Sequence, residues 1–185
     1  MVDAVTSSVL GNLRDNGYEY WESEPVAIPF FDNVTFPLTC NFVPDSDPSF
    51  MRDADAAIAN FLGLDRAYRL SISAPVYEYA MQCIENTDFS DDAHIAAFLK
   101  DPDIPVKVWT LVMGINEIIV ARREQKNDRD IYVALDCLCR WEDHGLRMVF
   151  RQGRKLTRVN IPDGWMTDID AFAIPETQDT LWSEF

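Results

Sequence analysis

Residues 141–165, WEDHGLRMVFRQGRKLTRVNIPDGW, hold two strand-like runs and two tight-turn signals, and their reading decides the fold. The runs at 146–150 and 155–161 are separated by Arg151-Gln152-Gly153-Arg154, where Gly153 can take the positive φ that a hairpin turn asks for. Glu142-Asp143-His144-Gly145 before the runs and Pro162-Asp163-Gly164 after them are turn sequences. The segment therefore reads as the closing hairpin of an antiparallel meander.

The preceding residues extend that meander. In 131–141 the side chains alternate, with Ile131, Val133, Leu135, Cys137, Cys139 and Trp141 on one face and Tyr132, Ala134, Asp136, Leu138 and Arg140 on the other. Upstream of the charged loop RREQKNDRD, residues 106–113 are apolar on both faces, as a central strand is. Gly114-Ile115-Asn116 reads as a turn, with 118–121 returning.

A helical block precedes the strands. In 50–62, Ala54, Ala57, Ile58, Phe61 and Leu62 fall on one helix face, and Gly63 follows where a C-terminal cap is expected. Ser73 reads as an N-cap with Pro75 in the first turn, and Val76, Tyr79, Ala80, Cys83 and Ile84 repeat the face pattern, which puts Cys83 in the core. A short helix over 91–99 presents Ile95, Phe98 and Leu99, with His94 partly exposed beside them. At the N-terminus, Val2, Val5, Val9 and Leu13 have loose helical spacing. Residues 18–31 and 34–43 read as the arms of a hairpin around Asp32-Asn33, with Pro25 and Pro29 restricting the first arm to an edge.

The expected fold class is α+β: an antiparallel β-sheet, made of the N-terminal hairpin and the C-terminal meander, packed against two or three helices from residues 50–99. Residues 1–170 read as a single domain, and 171–185 as a tail without a partner pattern, either loosely held or docked through Trp182 and Phe185.

Composition bounds the function. The chain has 185 residues, 48% hydrophobic and 25% charged, with a net charge of −15. The charge is uneven: −12 over residues 1–99, +3 over 100–158 and −6 over 159–185. A field of this sign repels phosphate backbones and anionic membrane surfaces, so neither nucleic acid nor membrane is an expected partner; it can steer a basic protein partner, and on charge alone it reads first as a device for solubility. No apolar run approaches the ~18 residues that cross a bilayer, and the N-terminus lacks the basic and apolar regions of a secretory signal. These features lead to a cytoplasmic expectation, with Cys40, Cys83, Cys137 and Cys139 as free thiols.

Chemistry-bearing constellations are weak. Cys137 and Cys139 share an otherwise apolar strand face, and a lone Cys-x-Cys does not make a metal site, so no metal and no cofactor are expected. Cys139, His144 and Asp143 or Glu142 contain the residue types of a thiol hydrolase, but the cysteine points inward while the histidine sits in a turn. With 31 acidic residues, pairs such as Asp53/Asp55 and Asp168/Asp170 arise by chance, and the first reads as the solvated side of a helix. No phosphate-binding glycine loop is present. Trp109 and Trp141 read as core. Trp165, just after the Pro-Asp-Gly turn, is less easily buried; it reads first as packed against a sheet edge, and otherwise as a protein-binding anchor beside acidic groups.

The run LDCLCRWEDHGLRMVFRQGRKLTRVNIPDGW resembles the C-terminal part of a bacterial family of domains of unknown function. There a strand ending in Cys-x-Trp-Glu is followed by His-Gly-Leu, a strand and a glycine-turned hairpin. Cys139-Arg140-Trp141-Glu142, His144-Gly145-Leu146, Gly153 and Asp163-Gly164 carry the likeness. Some members are suspected immunity or accessory proteins of bacterial competition systems. The resemblance implies an α+β fold and a bacterial intracellular setting, and it carries over no site residues.

The expected function is a non-enzymatic acidic protein that binds another protein, of the kind of an immunity-type inhibitor of a basic toxin. Its contact residues would be Glu142, Asp143, His144, Asp163 and Trp165. The alternatives are a hydrolase using the Glu142–His144 turn and a structural or oligomeric subunit that covers its sheet edge.

Overall fold

The structure is a computed structural model that describes residues 5–17, 19–101, 104–123, 129–178 and 181. Six short strands come first: β1 (Val5–Ser7), β2 (Gly11–Gly17), β3 (Tyr20–Glu22), β4 (Val26–Ile28), β5 (Val34–Phe36) and β6 (Thr39–Asn41). The helices α1 (Phe50–Leu62), α2 (Arg66–Ser71), α3 (Ser73–Asn86) and α4 (Ala93–Phe98) follow, then a 3-10 turn over Pro105–Thr110. Four longer strands complete the sheet, β7 (Val112–Ala121), β8 (Tyr132–Cys139), β9 (Leu146–Arg151) and β10 (Lys155–Asn160), before α5 (Asp168–Phe172).

Eight strands form one sheet in the order β1-β2-β3-β6-β7-β8-β9-β10, and β4 and β5 form a separate pair. All neighbours are antiparallel except β6 and β7. The fold is α+β, as expected, with α1 to α4 packed on one face. Ile131, Val133, Leu135, Cys137, Cys139 and Trp141 all enter the helix-side core, as the alternation requires. The other face holds a smaller cluster of Ile119, Ala121, Tyr132, Ala134, Val149 and Met166.

Several local expectations are corrected. The N-terminal stretch is a hairpin rather than a helix: Val5 pairs with Leu13 across a turn in which Ser7 Oγ accepts from the amides of Val9 and Leu10. Residues 105–110 form a 3-10 turn, because Pro105 supplies no amide donor to a ladder and presets φ for helical geometry. Trp109 lies there, half-buried, donating to Ser73 Oγ at 2.8 Å. Gly114-Ile115-Asn116 does not turn the chain; β7 runs through it with two bulges. Ser73 is the first residue of α3, donating to Leu70 O, and no side chain caps that end. Cys83 is half-exposed rather than core.

The arms 18–31 and 34–43 do pair, β3 with β6 and β4 with β5, but in the first arm only the proline-flanked β4 is an edge. β3 lies inside the sheet between β2 and β6, because the prolines fall after it, and Tyr18 lies outside the described residues. Val2, Trp182 and Phe185 also lie outside the described residues.

Two devices lock the helices to the sheet. Asp55 of α1 accepts from Ser7 Oγ, Ser8 N and Ser8 Oγ at 2.5–2.8 Å, so it is a tie to the N-terminal hairpin and not a solvated carboxylate. At the β9–β10 turn, Gly153 has φ +63, and a Cβ there would sit 1.9 Å from Ala57 O of α1. Only glycine permits both the turn and that approach.

Candidate partner-binding site

A groove of about 880 Å³ opens between α3, the β8–β9 turn, the end of β10 and α5. Helix α3 supplies Glu78, Tyr79, Gln82, Cys83 and Asn86, residues one or two turns apart on its outer side. The β8–β9 turn supplies Glu142, whose placement depends on Gly145. Gly145 has φ +91, and an added Cβ would sit 2.5 Å from Cys137 O. Gly145 N also donates to Glu142 O, closing the turn.

The floor of the groove is neutral and its rim is acidic. Among the described residues that line it, Glu78, Glu142 and Asp168 carry charge and no lysine or arginine does. Asp168 is neutralised by Arg158 Nε at 2.6 Å. Glu78 is exposed, and Glu142 is half-buried with its carboxylate accepting from His144 N at 3.3 Å. On the floor, the Tyr79 hydroxyl is shut off from water, and burial pushes its pKa up. Burial likewise raises the Cys83 thiol.

The expected contact residues do not form one surface. Glu142 lines the groove, with Asp143 and His144 exposed beside it. Asp163 is spent on structure: both its oxygens accept from Arg158, at 2.6 and 2.7 Å, and one also accepts from Trp165 N at 3.1 Å. Burial works to raise the Asp163 carboxyl, but the Arg158 and Trp165 hydrogen bonds outweigh it and hold it below the usual range. Trp165 is half-buried and lines a separate cavity of 260 Å³ with Arg122, Arg123, Met166 and Asp170. Its carbonyl accepts from Arg158.

Asp168 and Asp170 are tied as well. Arg123 grips both oxygens of Asp170 at 2.7 Å, with side-chain exposures of 2% and 7%. Asp53 accepts from Arg122. These aspartates fix the 163–172 segment and α1 in place.

The residue types of a thiol hydrolase do not come together. The Cys139 thiol is buried against the Glu142 carbonyl at 3.6 Å, and burial raises its pKa to about 12, opposite to what a nucleophilic thiolate needs. His144 is exposed, and none of its described hydrogen bonds reaches Cys139. Among the described residues, no group of three or more histidine, cysteine or acidic side chains is placed to hold a metal ion. No helix among them is long and apolar enough to cross a membrane.

The part of the site that sequence reasoning missed is the α3 wall. Glu78, Gln82 and Asn86 look like an ordinary solvated face, and only the half-buried Tyr79 and Cys83 between them mark it.

Fold and site together define an α+β protein whose mostly antiparallel sheet carries an acid-rimmed groove beside its longest helix. The chain belongs to the family described as a domain of unknown function, DUF6985, whose model matches residues 9–166. No curated protein and no solved structure matches it.

Proposed function

We propose that this chain is a non-enzymatic binding protein whose acid-rimmed groove receives a basic segment of another protein. The observation that carries this reading is the unbalanced carboxylate rim of the groove, where Glu78 and Glu142 face no cation among the lining residues. Two carboxylates with no described cationic partner attract a lysine or arginine and accelerate its approach, and the net charge of −15 adds long-range steering. The neutral floor of Tyr79 and Cys83 gives an incoming side chain apolar surface to cover. In its finer form the reading is an immunity-type inhibitor of a basic toxin in bacterial competition, which rests on the resemblance of the 139–164 segment. The expected setting is the bacterial cytoplasm.

The test is affinity capture from the native cell with the wild-type chain and with Glu78→Lys/Glu142→Lys. Capture of one basic protein by the wild type, lost in the variant and weakened by salt, supports the proposal. Equal capture by both chains refutes it.

A further inference from the structure

The sheet contains a notch. β8 runs beside the whole of β7, but β6 pairs only with Ile119, Val120 and Ala121. Residues 112–118 therefore have no strand on the β6 side among the described residues, and no described turn or loop hydrogen bond ends on their backbone. The cause is local. Pro37 has no amide to offer, and the chain before β6 leaves the sheet to form the β4–β5 pair.

Beside the notch, Phe31, Val34, Phe36, Gly114 and Ile115 enclose a cavity of 390 Å³. Val34 is 49% exposed and Met113 54%. Gly114 leaves open space where a side chain would stand. Unpaired strands are usually guarded by lysine or proline, and Val112-Met113-Gly114-Ile115-Asn116-Glu117-Ile118 contains neither. Its bulges, between Val112 and Gly114 and between Ile115 and Glu117, limit any added ladder to a few residues.

The other face of the notch carries Glu117, which stands opposite Asp136 on β8. Asp136 is already gripped by Arg147 through two 2.7 Å bonds, each side chain 4% exposed. No described hydrogen bond or ion pair reaches the half-buried Glu117. Burial, with the Asp136 charge behind it, raises the Glu117 pKa and outweighs the opposing pull of Arg147, whose guanidinium is bound to Asp136 instead. A cation delivered from the notch side would supply the missing partner.

We infer that this notch takes a short extended segment of a basic partner protein by strand addition, with an apolar side chain in the Phe31–Val34–Phe36–Ile115 cavity and a lysine or arginine beside Glu117. Ile115 pairs with Cys137 and Glu117 with Asp136, so the bulge at Asn116 brings two opposite-facing positions into line with adjacent residues of a regular strand. The recognised sequence is thus an apolar residue next to a basic one. Backbone bonds would supply affinity and the two side chains specificity, as in other strand additions. A second copy of the chain is the poorer occupant, since each copy carries −15. The inference shares the basic partner of the groove reading but uses a different surface.

The probe is acetyl-Lys-Val-Lys-Val-Lys-Val-Lys-amide, titrated into the ¹⁵N-labelled full chain, with the glutamate-valine peptide as control. The lysine peptide should shift Val34 and Phe36 resonances and slow amide exchange within 112–118, and the control should not bind. Glu117→Gln should weaken binding about tenfold, the range of a close charge pair. Val34→Glu should weaken it while leaving the free chain's spectrum otherwise unchanged. Equal binding of the two peptides, or no effect of Glu117→Gln, overturns the proposal. So does protection of 112–118 in the free chain that grows with its concentration, because the notch would then belong to a second copy. Shifts confined to Glu78, Gln82 and Glu142 also sink the notch while leaving the groove reading intact; loss of capture by the Glu78/Glu142 variant bears on the groove alone.

Discussion

Replacing Gly153 by alanine tests how α1 is seated on the β9–β10 turn. Gly153 has φ +63, where an L side chain costs about 1–2 kcal/mol. The added Cβ would lie 1.9 Å from Ala57 O and 2.8 Å from Ala57 C, both backbone atoms of α1. Helix and turn must separate by more than an ångström to reach ordinary contact, and such overpacking costs about 1–3 kcal/mol. Separation also stretches the 3.0 Å bond from Asn60 Nδ2 to Gln152 O, worth about 1 kcal/mol. Together these give roughly 3–6 kcal/mol, a large part of the ~5–15 kcal/mol that keeps a domain folded. Gly164→Ala is the control. Its φ is +90, but nothing lies within 4 Å of the new Cβ, so only the backbone cost of about 1–2 kcal/mol applies. Urea unfolding of both variants, followed by tryptophan fluorescence, gives the comparison. At ~2–4 °C per kcal/mol for a chain of this size, Gly153→Ala should melt roughly 6–24 °C lower. Equal losses in the two variants would show that the close approach to Ala57 is not what demands glycine.

Arg158→Met should also be costly, because Arg158 is fully buried while it holds Asp163 and Asp168. Those carboxylates are 23% and 26% exposed and recover some solvation, so about 3 kcal/mol is expected, at the low end for a broken buried pair. A loss below about 1 kcal/mol in urea unfolding would contradict it. Acid should destabilise the fold: the carboxyls of Asp47, Asp53 and Asp163 titrate below 3.8 in the folded chain, so their stabilisation is whole well above 3.8 and is lost as pH falls through their folded values. A melting temperature that rises steadily from pH 5 to pH 3 would exclude this. Glu117 has the opposite sign, since its pKa is raised above 4.5 and ionisation opposes folding. Glu117→Gln should therefore raise the melting temperature at pH 7 and lose that advantage near pH 4; an unchanged or lower value at pH 7 would count against it. A thiol-specific disulfide reagent at pH 8 should modify Cys83 first, because Cys40, Cys137 and Cys139 are buried with thiols pushed up, Cys40 and Cys139 to about 12. Equal rates for all four would mean the fold opens readily.

The strands that were legible in the sequence are those with regular alternation or clear turn residues at their ends, although β8 and β9 are buried on both faces. β8 alternates without a break, and β9 and β10 are bounded by turn residues with a mechanism, Gly145 and Gly153. α1 was legible to the residue because its apolar face is continuous from Ala54 to Leu62. The failures occur where periodicity is ambiguous or where tertiary contacts override it. Val5, Val9 and Leu13 are four residues apart, a helical interval, yet an interval of eight also fits a tight hairpin that pairs Val5 with Leu13. Gly114 looks like a turn because glycine usually marks one, but here it sits in a bulged strand with open space beside it. α2 went unread because six residues, RAYRLS, show too little of any period. The groove was half legible. Glu142 was singled out by its turn, whereas the α3 wall becomes a surface only when β10 and α5 fold against it.

The charge pattern is reinterpreted by the fold. Residues 100–158 have a balance of +3, and taken alone they suggest a basic face. Their arginines are instead turned toward aspartates: Arg122 toward Asp47 and Asp53, Arg123 toward Asp170, Arg147 toward Asp136, Arg151 toward Asp130 and Arg158 toward Asp163 and Asp168. Arg123–Asp170 and Arg147–Asp136 are nearly buried and the Arg158 side chain is wholly so, so these five arginines are spent on ties within the sheet and from it to α1 and the 163–172 segment. What a partner meets is the remainder, and the remainder is acidic. Aspartate supplies those ties, while Glu78, Glu142 and Glu117 have no described ion pair. Short side chains anchored to buried guanidiniums serve the fold, and longer ones left without a cation are the groups a basic partner would satisfy. The Asp143–His144 turn tip and Asp163, which stood out in the sequence, are therefore weaker contact candidates than the three glutamates.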